Sequence, residues 1–221
     1  MLVSYKHNFL FVHIAKTGGT SVRDALRQYR WGGVYAAPLA ITSLFSQMTR
    51  PRHKLGIKIP RHAKAIAAKE MFPRDVYNGF FKFVVVRNPW DLQVSAYHHV
   101  RRNPIGMPDT VKTFAEFLDY KFDLSRPYNF MLDITNEPQR DYIVDMRGNV
   151  IVDFIGHYES LQDDFNEICR RVGVAAVDLP HHRKAEGRKD YRSYYSGDLA
   201  DRVAARFHQD IDILGYRFDP A

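Results

Sequence analysis

The chain has 221 residues, 45% hydrophobic and 14% aromatic, which suits one globular domain able to bury roughly 70% of its unfolded surface. Lys and Arg number 32 against 25 Asp and Glu, and the resulting net charge of +7 favours a polyanionic ligand without naming one. Its 1 cysteine, Cys169, excludes an intrachain disulfide and a cysteine-based metal site.

In chain order, the first element is an apolar strand, Phe9-Leu10-Phe11-Val12-His13-Ile14. It is too short to span a membrane and lacks the small-residue cleavage pattern of a secretion signal, so a soluble, cytoplasmic protein without stable membrane insertion is expected. The strand runs into Ala15-Lys16-Thr17-Gly18-Gly19-Thr20-Ser21, and a helical pattern follows from Val22 to Tyr29. Strand, glycine turn and helix start together make an anion cradle, because bare backbone N–H groups and the helix dipole both favour a phosphate-like charge. Lys16 adds a mobile positive charge, and Gly18 and Gly19 permit unusual dihedrals and close approach. The nucleoside-triphosphate spacing G-x-x-x-x-G-K-[ST] is absent, so an ordinary ATPase loop is not expected.

Residues 31–60 are irregular, with apolar segments Leu39–Phe45 and Leu55–Ile59, and residues 62–71 read as a short helix. Phe81–Val86, apolar except for Lys82, is a run of the kind found in a central parallel strand buried on both faces. Arg87 stands at its exit; Asn88 and Pro89 then cap and open a helix reaching about Val100. Thr113–Phe122 is amphipathic. Ile143–Met146 and Val150–Ile155, around Arg147-Gly148-Asn149, predict a β-hairpin. Ser160–Val172 is a helix with Leu161, Phe165, Ile168 and Val172 on one face; residues 180–192 form a basic loop; residues 197–213 form a last helix. This alternation predicts a single domain over residues 1–221: an α/β three-layer fold with a mainly parallel central sheet flanked by helices.

Ligands of open α/β sheets sit at the carboxyl ends of strands, and two strands here end in functional residues, one leading to Lys16 and one to Arg87. Ser95 lies two turns into the helix after Arg87, so guanidinium and hydroxyl can enter one crevice and grip a second phosphate. The same spacing equally allows Arg87 to pair with Asp91 while Ser95 packs.

Together the two segments resemble the PAPS-dependent sulfotransferases, in the branch of carbohydrate and heparan sulfate 2-O-type enzymes, which have a P-loop-like fold. The similarity continues through Asp153–Leu161, Leu179-Pro180-His181, Tyr191–Tyr195 and Asp210–Tyr216, and so covers nearly the whole chain. It implies that Lys16, Thr17, Gly18, Gly19, Thr20 and Ser21 bind the donor's 5′-phosphosulfate and that Arg87 and Ser95 bind its 3′-phosphate. It further implies that the 180–192 loop folds over the donor, making Lys184 and Arg188 candidate contacts. No metal is expected, because the sulfuryl group carries less charge than a γ-phosphoryl group.

The implied reaction is in-line attack of an acceptor hydroxyl, expected on a saccharide or related metabolite, on the sulfur of PAPS with release of PAP. Lys16 is the candidate for neutralising the leaving oxygen. His62 is the candidate general base: it follows an extended segment, precedes Arg87 by 25 residues, and lies in the interval where the related carbohydrate enzymes carry a catalytic histidine. The alternative for His62 is a surface histidine beside Arg61 and Lys64, and Glu70 is the reserve base. His13 reads as a core residue. The pairs His98-His99 and His181-His182 lack a metal-binding context and read as solvated or substrate-edge residues. Tyr158, Tyr194 and Tyr195 could stack on adenine or sugar, or pack in the core. Two other readings compete: a non-catalytic basic module binding nucleic acid or an anionic glycan, and a nucleotide kinase. The placement of both phosphate motifs at strand exits argues against the first, so no nucleic-acid partner is expected; the missing triphosphate spacing argues against the second. Oligomeric state is not legible in the sequence.

Overall fold

A computed structural model describes residues 1–30, 62–102, 107–179 and 188–219. The expected segments Leu39–Phe45 and Leu55–Ile59, and residues Lys184, His181 and His182, lie outside the described residues. The described residues of Met1–Ile14, Gly18–Val85 and Tyr142–Pro180 form one compact unit, and those of Ala15–Thr17, Val86–Asp141 and His181–Ala221 a second.

The first unit is built on a four-stranded sheet of order β1-β2-β3-β4, with β1 Leu2–Ser4, β2 Phe9–Val12, β3 Phe81–Val86 and β4 Phe154–His157. β1 pairs antiparallel with β2, whereas β2 and β3 are parallel. Side chains alternate across the sheet with a period of two, and each face takes a helical layer. Leu2, Phe9, Phe11, Phe83 and Val85 pack on Val22 and Leu26 of α1 (Gly19–Leu26) and on Phe165, Ile168, Cys169 and Val172 of α7 (Leu161–Val172). On the opposite face Val3 and Leu10 meet Ala68 of α2 (Ala65–Met71) and Tyr77 of α3 (Arg74–Gly79). Burial on both faces explains why β2 is wholly apolar and β3 apolar except at Lys82, whose ammonium bonds to the Phe80 carbonyl and Asp153. The register Val12↔Val84 places the ends of these two strands, which lead to Lys16 and Arg87, at the same edge of the sheet.

The second unit is helical: α4 (Pro89–Arg102), α5 (Phe114–Phe122), α6 (Phe130–Ile134), α8 (Leu199–Arg206) and α9 (His208–Leu214). Trp90, Val94, Tyr97, Phe114, Phe117, Leu118, Leu132, Leu199, Val203 and Phe207 make its core. Local chemistry sets several helix starts. Asn88 Oδ1 accepts from the amide of Trp90 at 3.0 Å, and Thr113 and Glu116 form a reciprocal capping box at α5.

Two expectations need correction. The hairpin around residues 143–155 reduces to one bridge, Val144↔Val150, closed by the Asp145–Asn149 turn. The strand lies further on, at Phe154–His157, because pairing with the main sheet overrides the apolar run before it. The last helix is also not continuous: α8 stops at Arg206 and α9 restarts at His208, with Phe207 (φ −114°, ψ 26°) between them burying its ring in the core.

Candidate active site

The turn after β2 uses its two glycines for different physical reasons. Gly18 has φ 81° in the left-handed region, where an L side chain is strained, and an added Cβ would sit 2.8 Å from Leu161 Cδ2. At Gly19 the reason is space: a Cβ would lie 2.6 Å from Nε2 of His13, whose ring covers the start of α1. Lys16 is also left-handed (φ 66°), a conformation unusual for a residue with a side chain. Thr17 and Ser21 are buried, whereas Lys16 and Thr20 are half-buried. The amide of Ser21 turns back to the Gly18 carbonyl at 3.0 Å.

His62 is tied to the same strand. Its Nδ1 lies 2.9 Å from the carbonyl oxygen of His13, and the two rings are 4.7 Å apart. A carbonyl only accepts, so Nδ1 carries the proton and donates, and the basic lone pair of a neutral His62 is on Nε2. His13 itself is a core residue, 3% exposed, stacked on Phe11. Glu70, the reserve base, is exposed on α2.

At the exit of β3, Arg87 pairs with Asp91, the second of its two sequence readings. Arg87 is 3% exposed; its Nε and Nη2 reach Asp91 Oδ2 at 2.7 and 2.6 Å, and Nη1 donates to the Lys16 carbonyl at 3.0 Å. Arg188 contacts the other carboxylate oxygen of Asp91. Two guanidiniums therefore share one carboxylate at a largely buried place. Burial, together with repulsion from Arg87, pushes the Arg188 guanidinium down to about 10. Ser95, half-buried, follows Asp91 by one helical turn on α4. The structure thus brings Arg87, Asp91 and Arg188 together and ties them to the backbone of Lys16. Asp91 entered the sequence reading only as a competitor for Arg87, and here it orients both arginines.

The aromatic candidates are engaged inside the protein. Tyr195 donates to the Trp90 carbonyl at 2.8 Å, Tyr191 donates to the Phe218 carbonyl, and Tyr194 lies 2.7 Å from Nε2 of His98. Tyr158 lies against Gly18, 3.0 Å from where its Cβ would be. Among the described residues no group of three or more His, Cys, Asp or Glu is placed to hold a metal ion, and no helix is long and apolar enough to cross a membrane.

Comparison with known proteins places the chain in a family. The profile of the sulfotransferase family matches residues 1–217. Carbohydrate sulfotransferase 10 of Xenopus laevis is 24% identical over 252 aligned positions, covering 98% of this chain and 67% of the relative; that of Gallus gallus is 24% identical, covering 98% and 66%. The chain thus spans about two thirds of the length of these relatives. An uncharacterized protein of Archaeoglobus fulgidus is 32% identical over 106 residues, 46% of this chain and 74% of the relative. The crystal structure of a sulfotransferase from Alicyclobacillus acidocaldarius superposes with a TM-score of 0.52 at 18% identity over 96% of both chains, which shows a shared α/β, P-loop-like fold. With a match that extends over almost its full length, the chain belongs to the sulfotransferase family.

Proposed function

We propose that this protein moves a sulfuryl group from PAPS to a hydroxyl of a saccharide or related metabolite and releases PAP. The observation that carries the reading is the Arg87–Asp91–Arg188 cluster, two guanidiniums on one carboxylate, joined through Arg87 Nη1 to the residue that opens the glycine turn. A donor with phosphates at both ends of its ribose needs two separate anion sites. The chemistry of the residues fits: Gly18–Ser21 form a helix start with two hydroxyl residues for the 5′ end, and Arg87, Arg188 and Ser95 bring charge and a hydroxyl for the 3′-phosphate. The carbohydrate acceptor is supported by the similarity to carbohydrate sulfotransferase 10.

PAPS supplies an activated sulfuryl group whose bridging oxygen leaves with the 5′-phosphate. In the proposed step the acceptor oxygen bonds to sulfur as that bridging S–O bond breaks, and His62 Nε2 takes the acceptor's proton. Its Nδ1–H bond to the His13 carbonyl holds the ring in the tautomer required. Lys16, whose backbone is fixed by Arg87, balances charge on the departing oxygen. As in phosphoryl transfer, most of the acceleration comes from positioning and charge stabilisation.

Thermal unfolding with saturating nucleotide tests the donor assignment. PAP should raise the melting temperature more than ADP, although both carry two phosphates, and Arg87→Ala should abolish the difference. Equal shifts in the wild type would remove the 3′-phosphate site, and labelled PAPS offered to a panel of saccharides then tests the acceptor class.

A further inference from the structure

The peptide of Arg87 is held in a way that neither the family match nor the sequence motifs account for. Its N–H donates to Gln139 Oε1 at 2.9 Å, and its C=O accepts from Gln139 Nε2 at 2.7 Å. A side-chain amide thereby makes the paired bonds that a neighbouring strand residue would make, at the point where β3 ends. Gln139 is 2% exposed, so water does not compete for these bonds. Its own position is fixed in turn from α9: Asp210, 1% exposed, accepts from the amide of Gln139 at 2.9 Å and from that of Arg140 at 2.7 Å. That carboxylate caps the short 3₁₀ turn Gln139–Tyr142 from which the glutamine reaches out.

With the backbone clamped by Gln139 and the guanidinium by Asp91, Arg87 has little rotational freedom left. Preorganisation of this kind favours a ligand whose charge sits where the arginine already points. We propose that Gln139, braced by Asp210, is a positioning residue that aims Arg87 and so sets the preference for a nucleotide bearing a 3′-phosphate over one with a free 3′-hydroxyl. The inference rests on the donor reading above, and the wild-type measurement tests that reading separately.

The experiment is calorimetric titration of the full chain with PAP and with adenosine 5′-phosphate. The wild type should bind PAP more tightly; equal affinities overturn the donor reading and this inference with it. Given that preference, Gln139→Met, similar in length but without the amide, should reduce the PAP-to-AMP affinity ratio by about tenfold while AMP affinity changes by less than about twofold. Asp210→Asn, which touches no group of Arg87, should reduce the ratio in the same direction. A ratio unchanged in folded Gln139→Met, or both affinities falling together, overturns the assignment. Should Gln139→Met not fold, Gln139→Asn, which keeps the amide but withdraws it by one methylene, is judged by the same ratio.

Discussion

Gly19→Ala probes the glycine turn at a position where backbone conformation is not the constraint. The new methyl would lie 2.6 Å from His13 Nε2 and nearer still to Cδ2, well inside ordinary contact distance. The His13 ring has little room to yield, since it is 3% exposed, stacked 5.6 Å from Phe11 and 4.7 Å from His62. Overpacking of this kind costs about 1–3 kcal/mol. Alanine's helix propensity offsets less than about 1 kcal/mol of that, because Gly19 is the first residue of α1 rather than an interior one. The net loss is then about 1–2 kcal/mol, or a melting temperature lower by roughly 2–8 °C for a chain of this size. Scanning calorimetry of Gly19→Ala, His13→Ala and the double variant separates the cause from a general helix effect. In the His13→Ala background the space above residue 19 is open, so the alanine should cost about 1 kcal/mol less than in the wild type. An equal cost in both backgrounds would refute the argument that the His13 ring dictates this glycine.

His62→Ala should lower kcat by about a hundredfold or more while leaving PAP affinity within about twofold, and full turnover would dismiss it as the base. Asp91→Asn removes the carboxylate that two guanidiniums share, so the unliganded protein should lose about 3–5 kcal/mol. A bound phosphate can replace that carboxylate, so the melting-temperature gain from PAP should be larger than in the wild type; a smaller gain would show that Asp91 acts in donor binding directly. Asp210 gives a pH signature: burial pushes its carboxyl up to about 6 from an ordinary 3.8. Between those values the folded state binds more protons than the unfolded chain, so this group's contribution to stability falls as pH rises from about 4 to 6, by about 3 kcal/mol in all. Denaturant titrations at pH 4 and pH 7 should show that slope in the wild type and not in Asp210→Asn; identical slopes would place the Asp210 titration elsewhere.

Local chemistry was legible along the chain where it depends on neighbours in sequence. An Asn-Pro helix start, an apolar run buried on both faces and a glycine turn before a helix each carry their cause within a few residues. Elements whose cause is distant were not. β1 is three residues long and owes its identity to antiparallel pairing with β2. The Val150–Ile155 run has strand composition, yet pairing places the strand at Phe154–His157. Phe207 interrupts the last helix without glycine or proline, and its buried ring belongs to the helical core. The same division runs through the site. Lys16, Gly18, Arg87 and Asp91 belong to recognisable stretches, whereas the Gln139 clamp on Arg87 spans 52 positions and the Asp210 brace 71, with no motif at either end.

A strand that ends in a proposed binding residue, as β3 does, faces two opposed requirements. Its last peptide must leave the sheet so that the side chain can meet a ligand, yet a buried N–H or C=O without a partner costs roughly 1–3 kcal/mol. Water cannot serve at Arg87, where the side chain is 3% exposed. A continuing neighbour strand would satisfy the peptide but would fill the space at the sheet edge. A primary amide resolves the conflict, because it offers one donor and one acceptor at peptide spacing and ends there. Glutamate could supply only the acceptor, and lysine only the donor. The choice of glutamine at 139 follows from the Arg87 peptide needing both bonds, and the choice of a buried acid at 210 follows from the two adjacent amides that hold that glutamine in place.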